Sequence, residues 1–221
     1  MSRRSRRGSR LDTASVSDAL DGLAEPSTWL RSIIPRSPGA YAAGPAFTVQ
    51  YAPLETQRQG FHSAAEYVDD VPPGSIIVSV NPTGLACTTW GDLLTVTAQA
   101  RGIAGTIVSG FARDVAGVRE MKYPLFSAGV AMVSAKNRLR LEAVQIPVVI
   151  DGITVTPGDW VVADDNGAIV VRSDRVAIVL AMAESVEETE RRIAVAVRGG
   201  SPLAAARRSF GYATPWDRAS G

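Results

Sequence analysis

Asp92, Arg113 and Asp114 are the residues of this chain whose types and spacing could do chemistry. They sit at the two ends of WGDLLTVTAQARGIAGTIVSGFARD, Trp90 to Asp114. Leu93 to Arg101 suits a short helix, with Leu94 and Ala98 at helical spacing, and Ile103 to Ser109 is a β-branched run between glycines that suits a buried strand. A helix of about ten residues advances roughly 15 Å, and six or seven strand residues return about 20 Å. Gly91-Asp92 and Arg113-Asp114 are therefore expected at one edge of a sheet, where two carboxylates and a guanidinium converge. The chain has a single histidine, His62, so it can build neither a histidine triad nor a two-histidine metal site. Acid–base chemistry must then use carboxylates, water or a metal. Unpaired amides at a helix start beginning with Gly91-Asp92 favour an anion, and a substrate carboxylate would fit there.

The elements that must position these residues read as mixed α/β. Asp12 or Thr13 can cap a helix to Leu23 carrying Val16, Ala19, Leu20 and Leu23. Gly44 to Ala52 predicts a strand with Phe47 and Val49 on one face, and Gln57 to Val68 a helix on which His62 is a packing or surface residue. Ser75 to Asn81 is a near-continuous apolar strand leading through Pro82-Thr83-Gly84 to the chemical stretch. After Asp114 the pattern gives a helix with Val118 and Met121, then a strand at Val130 to Ser134. From Val144 the pattern changes to short strands joined at Asp151-Gly152, Pro157-Gly158 and Asn166-Gly167, an antiparallel arrangement. Asp159, Asp164 and Asp165 are candidate metal ligands by type, but each adjoins a turn where aspartate has a local hydrogen-bonding role, and that role is the reading adopted. Ser173 can cap a long helix from Asp174 to Val197, followed by a short tail.

Length and composition set the outer limits. The 221 residues, 46% hydrophobic, support one substantial core. Five arginines crowd the first ten residues, so the rest of the chain carries a net charge of −4 against a whole-chain value of +1. That start reads as a solvated basic tail without aromatic interleaving, not as a nucleic-acid-binding element. One cysteine, Cys87, excludes an intrachain disulfide and a cysteine-built zinc site, and it reads as a small packing group. No apolar run is long enough for a membrane span or a secretory leader, so a cytoplasmic protein is expected.

Several of these stretches together resemble the RraA-like family, which includes metal-dependent 4-hydroxy-4-methyl-2-oxoglutarate aldolases and RraA regulators of ribonuclease activity. The resemblance runs over roughly residues 12 to 200. It is carried by Val16-Ser17-Asp18-Ala19-Leu20, by Gly44 to Val49, by Gly91-Asp92-Leu93-Leu94 and by the turn from Pro157 to Asp165. Its most specific part is the spacing of the aldolase branch, an aspartate, twenty residues and then Arg-Asp, which here is Asp92, residues 93 to 112 and Arg113-Asp114.

The resemblance implies a swivelling β/β/α-type single domain over 12–200, with a mixed sheet flanked by helices and a long C-terminal helix. Residues 1–11 are then a basic tail and 201–221 a C-terminal tail. It implies that Asp114 binds Mg²⁺ or Mn²⁺ largely alongside waters, which suits a hard cation. Arg113 would then neutralise charge developing on an enolate or carboxylate oxygen, as its planar fork can. The amides of Gly91, Asp92, Leu93 and Leu94 would hold a substrate carboxylate, and Asp92 would orient a metal-bound water as proton shuttle. The implied reaction is cleavage of a 2-oxo (hydroxy) dicarboxylic acid through a pyruvate enolate, by retro-aldol fission or by decarboxylation of oxaloacetate. A homotrimer or hexamer is implied as well, with a glutamate of the neighbouring C-terminal region, Glu187, Glu188 or Glu190, acting as base. The other branch implies a non-catalytic protein that binds an RNA-decay enzyme.

Overall fold

The computed structural model describes residues 10–55 and 65–216. In chain order its elements are α1 (Thr13–Gly22), β1 (Trp29–Leu30), β2 (Ile34–Pro35), β3 (Ala42–Pro53), a 3₁₀ turn (Glu66–Asp70), β4 (Ile76–Val80), β5 (Thr88–Trp90) and α2 (Asp92–Ala100). They continue with β6 (Gly105–Ala112), α3 (Val115–Glu120), β7 (Leu125–Val130), β8 (Leu139–Val144), β9 (Val148–Ile150), β10 (Ile153–Val155), β11 (Trp160–Asp164), β12 (Gly167–Val171), α4 (Val176–Arg198) and α5 (Leu203–Phe210). Two compact units result. Thr28–Val176 forms one, and segments on either side of it, up to Ser27 and from Ala177, form the other.

The larger unit is organised by one mixed sheet, in the order β1-β12-β11-β3-β4-β6-β7-β2, with β5 added beside β6 and β8 beside β3. Its centre, β3-β4-β6-β7, is parallel, while β11, β12, β1 and β8 pair antiparallel. All five residues of Ile76-Ile77-Val78-Ser79-Val80 are buried. That is the continuous apolar reading of a strand covered on both faces. Alternation then assigns the faces: Phe47, Val49, Tyr51 and Ile77 join Trp90 and Tyr123 in one cluster, while Ala46, Ile76, Val78 and Ile107 join Phe126 in another. Because the chain re-enters this sheet in parallel, the ends of β5 and β6 lie side by side, Trp90 pairing with Ala112. Ligands of open α/β sheets bind outside such carboxyl ends.

In the smaller unit the Asp12 carboxylate accepts the Ser15 amide at 2.7 Å and caps α1, which buries Val16, Ala19 and Leu20. The long α4 buries Val179, Ala183, Val186, Thr189 and Ile193, one stripe at helical spacing. Asp12 N donates to Glu187 Oε1 at 3.0 Å, which ties the start of α1 to α4.

The structure is mixed α/β with a large mixed sheet and a long C-terminal helix. Individual elements depart from expectation. The strand after α3 is Leu125–Val130, not Val130 to Ser134: pairing with β6 buries Leu125, Phe126 and Ser127, while Met132 is 82% exposed. An edge strand, β8, went unforeseen. The long helix starts at Val176, and Ser173 lies before it with its amide on Asp159. Residues 203 to 210, expected in a tail, are helical, and Leu11 is buried. Of the helix expected over Gln57 to Val68, His62 falls outside the described residues, and the described end is a 3₁₀ turn.

Candidate active site

Gly91 is the position on which the geometry of the cleft turns. It precedes α2 in extended backbone, and a Cβ built there would meet Asp114 Oδ2 at 2.6 Å and Arg113 Cγ and Nε at 3.3 Å. The lack of a side chain lets the end of β6 close on the start of α2. Trp90 holds the approach from behind: it is buried, its indole N–H donates to Thr95 Oγ1 at 2.9 Å, and that hydroxyl donates to Gly91 O at 2.9 Å. The Arg113 amide donates to Trp90 O at 3.0 Å, which locks the two chain ends together.

Asp92, Arg113 and Asp114 are thereby brought to one place. Asp114 Oδ2 accepts the Asp92 amide at 3.3 Å and lies 3.2 Å from Arg113 Nε. Asp114 itself stands in left-handed backbone, φ 56°, which aspartate tolerates better than most residues. Asp92 Oδ1 accepts the Leu93 amide at 2.7 Å. Two of the amides expected to receive an anion are thus occupied by the site's own carboxylates, and a substrate carboxylate at Leu93 N would have to displace Asp92. A cleft of about 250 Å³ opens beside this group, lined by Gly91, Asp92, Leu93, Leu94 and Arg113.

Tyr51 and Lys136 also line this cleft and were not singled out from the sequence. Tyr51 could have been found, since it continues by twos the face already assigned to Phe47 and Val49. Burial pushes its phenol up to about 12. Lys136 carried no such signal. It arrives because Thr88 N donates to Val133 O and Ala135 N to Thr88 O, which straps the segment after β7 to β5.

Whether a divalent cation suits this place can be judged from the donors. Among the described residues no group of three or more His, Cys, Asp or Glu is placed to share a metal. A site here would therefore rest on one carboxylate, as Mg²⁺ permits when water and substrate supply the other ligands. Asp114 fits: Oδ2 faces Arg113 and the Asp92 amide, while Oδ1 has no partner among the described residues. Asp159, Asp164 and Asp165 are used otherwise. Asp159 is 4% exposed and accepts Thr156 N and Ser173 N, Asp164 accepts Asn166 N, and Asp165 accepts Gly39 N.

The three candidate glutamates belong to the smaller unit and differ in engagement. Glu188 pairs with Arg191 and Arg192, which hold its carboxyl below the usual range. Glu187 accepts Asp12 N, and burial raises its pKa. Glu190 lines a cavity of about 520 Å³ with Asp18 and Asp21, and burial, then Asp18 and Asp12, raise its pKa.

The family described as RraA-like, Aldolase/RraA, matches residues 13–170. Protein DlpA of Legionella pneumophila is 44% identical over 205 residues, which cover 93% of this chain but 33% of DlpA, so the chain spans about a third of that relative's length. A Halalkalibacterium halodurans protein with a provisional 4-hydroxy-4-methyl-2-oxoglutarate aldolase name is 27% identical over 161 residues, 73% of this chain and 72% of that one. Among solved structures, Streptomyces coelicolor RraAS2, described as an unusual member of the RNase ES inhibitor RraA protein family, matches with a TM-score of 0.68 and 30% identity, covering 82% of this chain and 89% of its own.

Proposed function

The chain belongs to the RraA-like, Aldolase/RraA family, and from that premise we propose that it is a divalent-metal-dependent carbon–carbon lyase acting on a 2-oxo dicarboxylic acid. The observation that carries the reading is Asp114 itself. Its Oδ1 has no partner among the described residues, and its Oδ2 lies 3.2 Å from the Nε of Arg113, which with Asp92 lines a small cleft outside the carboxyl ends of β5 and β6. The provisional aldolase name of the Halalkalibacterium halodurans relative supports the same direction.

Asp114 would hold Mg²⁺ or Mn²⁺ through Oδ1. Bound there, the cation supplies Lewis-acid polarisation of a 2-oxo carbonyl. The protein's own groups do the rest. The Nη groups of Arg113 have no partner among the described residues, so the guanidinium can engage the substrate oxygen on which negative charge develops, in a bidentate manner closed to lysine. Lys136 adds a second positive group to the lining, which suits the second carboxylate of a dicarboxylic acid. Asp92 has one carboxylate oxygen on Leu93 N and the other without a partner among the described residues, so it can orient a water and pass a proton. Oxaloacetate decarboxylation needs no more than this. Retro-aldol fission also needs a base at the C4 hydroxyl, and Glu190 of a neighbouring copy in a homotrimer or hexamer is our choice, because Glu188 is held by two arginines and Glu187 by an amide.

The test is pyruvate release from oxaloacetate and from hydroxylated 2-oxo dicarboxylic acids. Activity that disappears with EDTA, returns with Mg²⁺ or Mn²⁺, and is missing in Asp114→Ala is the expected result. Turnover that survives in Asp114→Ala would overturn the reading. A second reading, a non-catalytic binding partner of an RNA-decay enzyme, draws on the likeness to RraAS2, a member of an RNase ES inhibitor family. Capture of a ribonuclease with no turnover of any 2-oxo acid would favour it.

A further inference from the structure

A second hollow, of about 370 Å³, lies in the larger unit between the turn from Ser37 to Ala40 and the end of α3, where Arg119, Lys122 and Tyr123 line it. It is distinct from the cleft. Tyr123 OH hydrogen-bonds Thr106 Oγ1 near the start of β6, whereas Arg113 follows the end of that strand, so the two places face opposite edges of the parallel sheet.

Its charge is one-sided. No ion pair engages Arg119 or Lys122 among the described residues. Arg119 uses Nε on the Arg36 carbonyl, at 2.7 Å, and its terminal nitrogens have no partner among the described residues. Arg36 stands just behind, and burial, then the like charge of Arg119, hold its guanidinium below the ordinary range. The carboxylate that reaches this turn, Asp165, is turned to the Gly39 amide at 2.8 Å. The Ser37 hydroxyl is buried and has no hydrogen-bond partner among the described residues. A buried hydroxyl without a partner is normally avoided, and cations gathered without counter-charge repel one another, so both features lack the same thing. Pro38, Ala40 and the Tyr123 ring supply apolar walls beside them.

We propose that this hollow binds a small, doubly charged tetrahedral oxyanion, a phosphate or phosphate monoester, through Arg119, Lys122 and the Ser37 hydroxyl. A guanidinium, an ammonium and a hydroxyl brought in from a helix end and a turn match an ion with acceptor oxygens in several directions. The apolar walls leave room for the carbon body of an ester.

The experiment is calorimetric titration of the full chain at low salt with inorganic phosphate and with glycerol phosphate, glycerol serving as the neutral control. The proteins are the wild type, Lys122→Asn, Arg119→Gln and Arg113→Ala. Asparagine at position 122 accepts the left-handed backbone there, φ 52°, and circular dichroism checks that each variant is folded. Binding should weaken about tenfold or more in each of Lys122→Asn and Arg119→Gln, the scale of one charge-assisted contact, and persist in Arg113→Ala. Tighter binding of glycerol phosphate than of phosphate would identify the ester as the ligand, and equal binding the free anion. Absence of binding to the wild type, retention in the folded Lys122→Asn and Arg119→Gln variants, or loss in Arg113→Ala alone would overturn the proposal.

Discussion

Asp114 and Asp159 both sit at turns entering or leaving the sheet, and the contrast between them separates a carboxylate with an oxygen left open from one whose oxygens the fold has already used. Asp159 is 4% exposed, and each of its oxygens accepts a backbone amide, Thr156 N at 2.8 Å and Ser173 N at 2.9 Å. Its ligands are complete within the chain. Asp114 keeps 37% of its side chain exposed, places one oxygen on Arg113 and the long-range Asp92 amide, and leaves the other without a partner among the described residues. A buried carboxylate with two amides stabilises the fold through charge-assisted hydrogen bonds, whereas a half-open one beside a guanidinium has a position left for an incoming ion. Residue type alone would rank the two equally as metal ligands. What distinguishes them is how many of their oxygens the fold has already used.

Exchanging the two tests that contrast most strongly. Asp114→Ala should lower metal-dependent turnover by about a thousandfold, the scale of several kcal/mol of lost charge stabilisation, with only a small fall in stability to urea, of about 1 kcal/mol, from alanine in left-handed backbone. Asp159→Ala should do the reverse. Two part-buried hydrogen bonds to a charged acceptor are lost, which costs about 3 kcal/mol at roughly 1.5 kcal/mol or more for each, while turnover per folded molecule stays near that of the wild type. Equal loss of stability in both variants would abolish the distinction.

The part of this contrast that was legible beforehand depended on local lengths. A short helix and an eight-residue strand, Gly105–Ala112, leave little freedom for where their ends meet, so Asp92 and Arg113-Asp114 could be placed at one edge from their spacing. The turn role of Asp164, on Asn166 N, and that of Asp159 on Thr156 N were legible for the same reason, whereas Asp165 bonds the distant Gly39 amide, which no local reading could supply. Lys136 and β8 were not legible either, because neither is fixed locally. β8 exists only as a partner of β3, whose twelve residues pair with β11, β4 and β8 in turn, with a register shift at Gln50/Tyr51. The misplaced strand after α3 has a similar cause. Val130 to Ser134 is as apolar as Leu125 to Val130, and only pairing with β6 decides which of them is buried.

Gly91 sharpens the comparison with a smaller effect, because it alters the place of Asp114 and leaves its chemistry intact. A methyl group at position 91 would come within 2.6 Å of Asp114 Oδ2 and 3.3 Å of Arg113 Nε. The carboxylate can swing aside, so Gly91→Ala should fold, with turnover reduced about tenfold to a hundredfold by the misplacement. If the group acts as positioned here, the apparent affinity for the activating metal should fall along with the rate. An unchanged metal titration would place the metal away from Asp114.

A third kind of carboxylate, in the smaller unit, gives the smallest effect. Glu190 shares its cavity with Asp18 and Asp21, and its pKa is raised by burial, then by Asp18 and Asp12, against the opposing pull of Arg207. A carboxyl whose folded pKa lies above the ordinary 4.5 destabilises the fold when ionised. That penalty is complete above the raised pKa, shrinks as pH falls through it, and is gone below 4.5. Glu190→Gln should therefore be slightly more stable than the wild type at pH 7, and the advantage should vanish by about pH 4, in thermal melts run in parallel. An advantage independent of pH would trace to packing. Lower stability of the variant at pH 7, fading below about pH 4, would mean that Glu190, like Asp159, already has its partners within the chain.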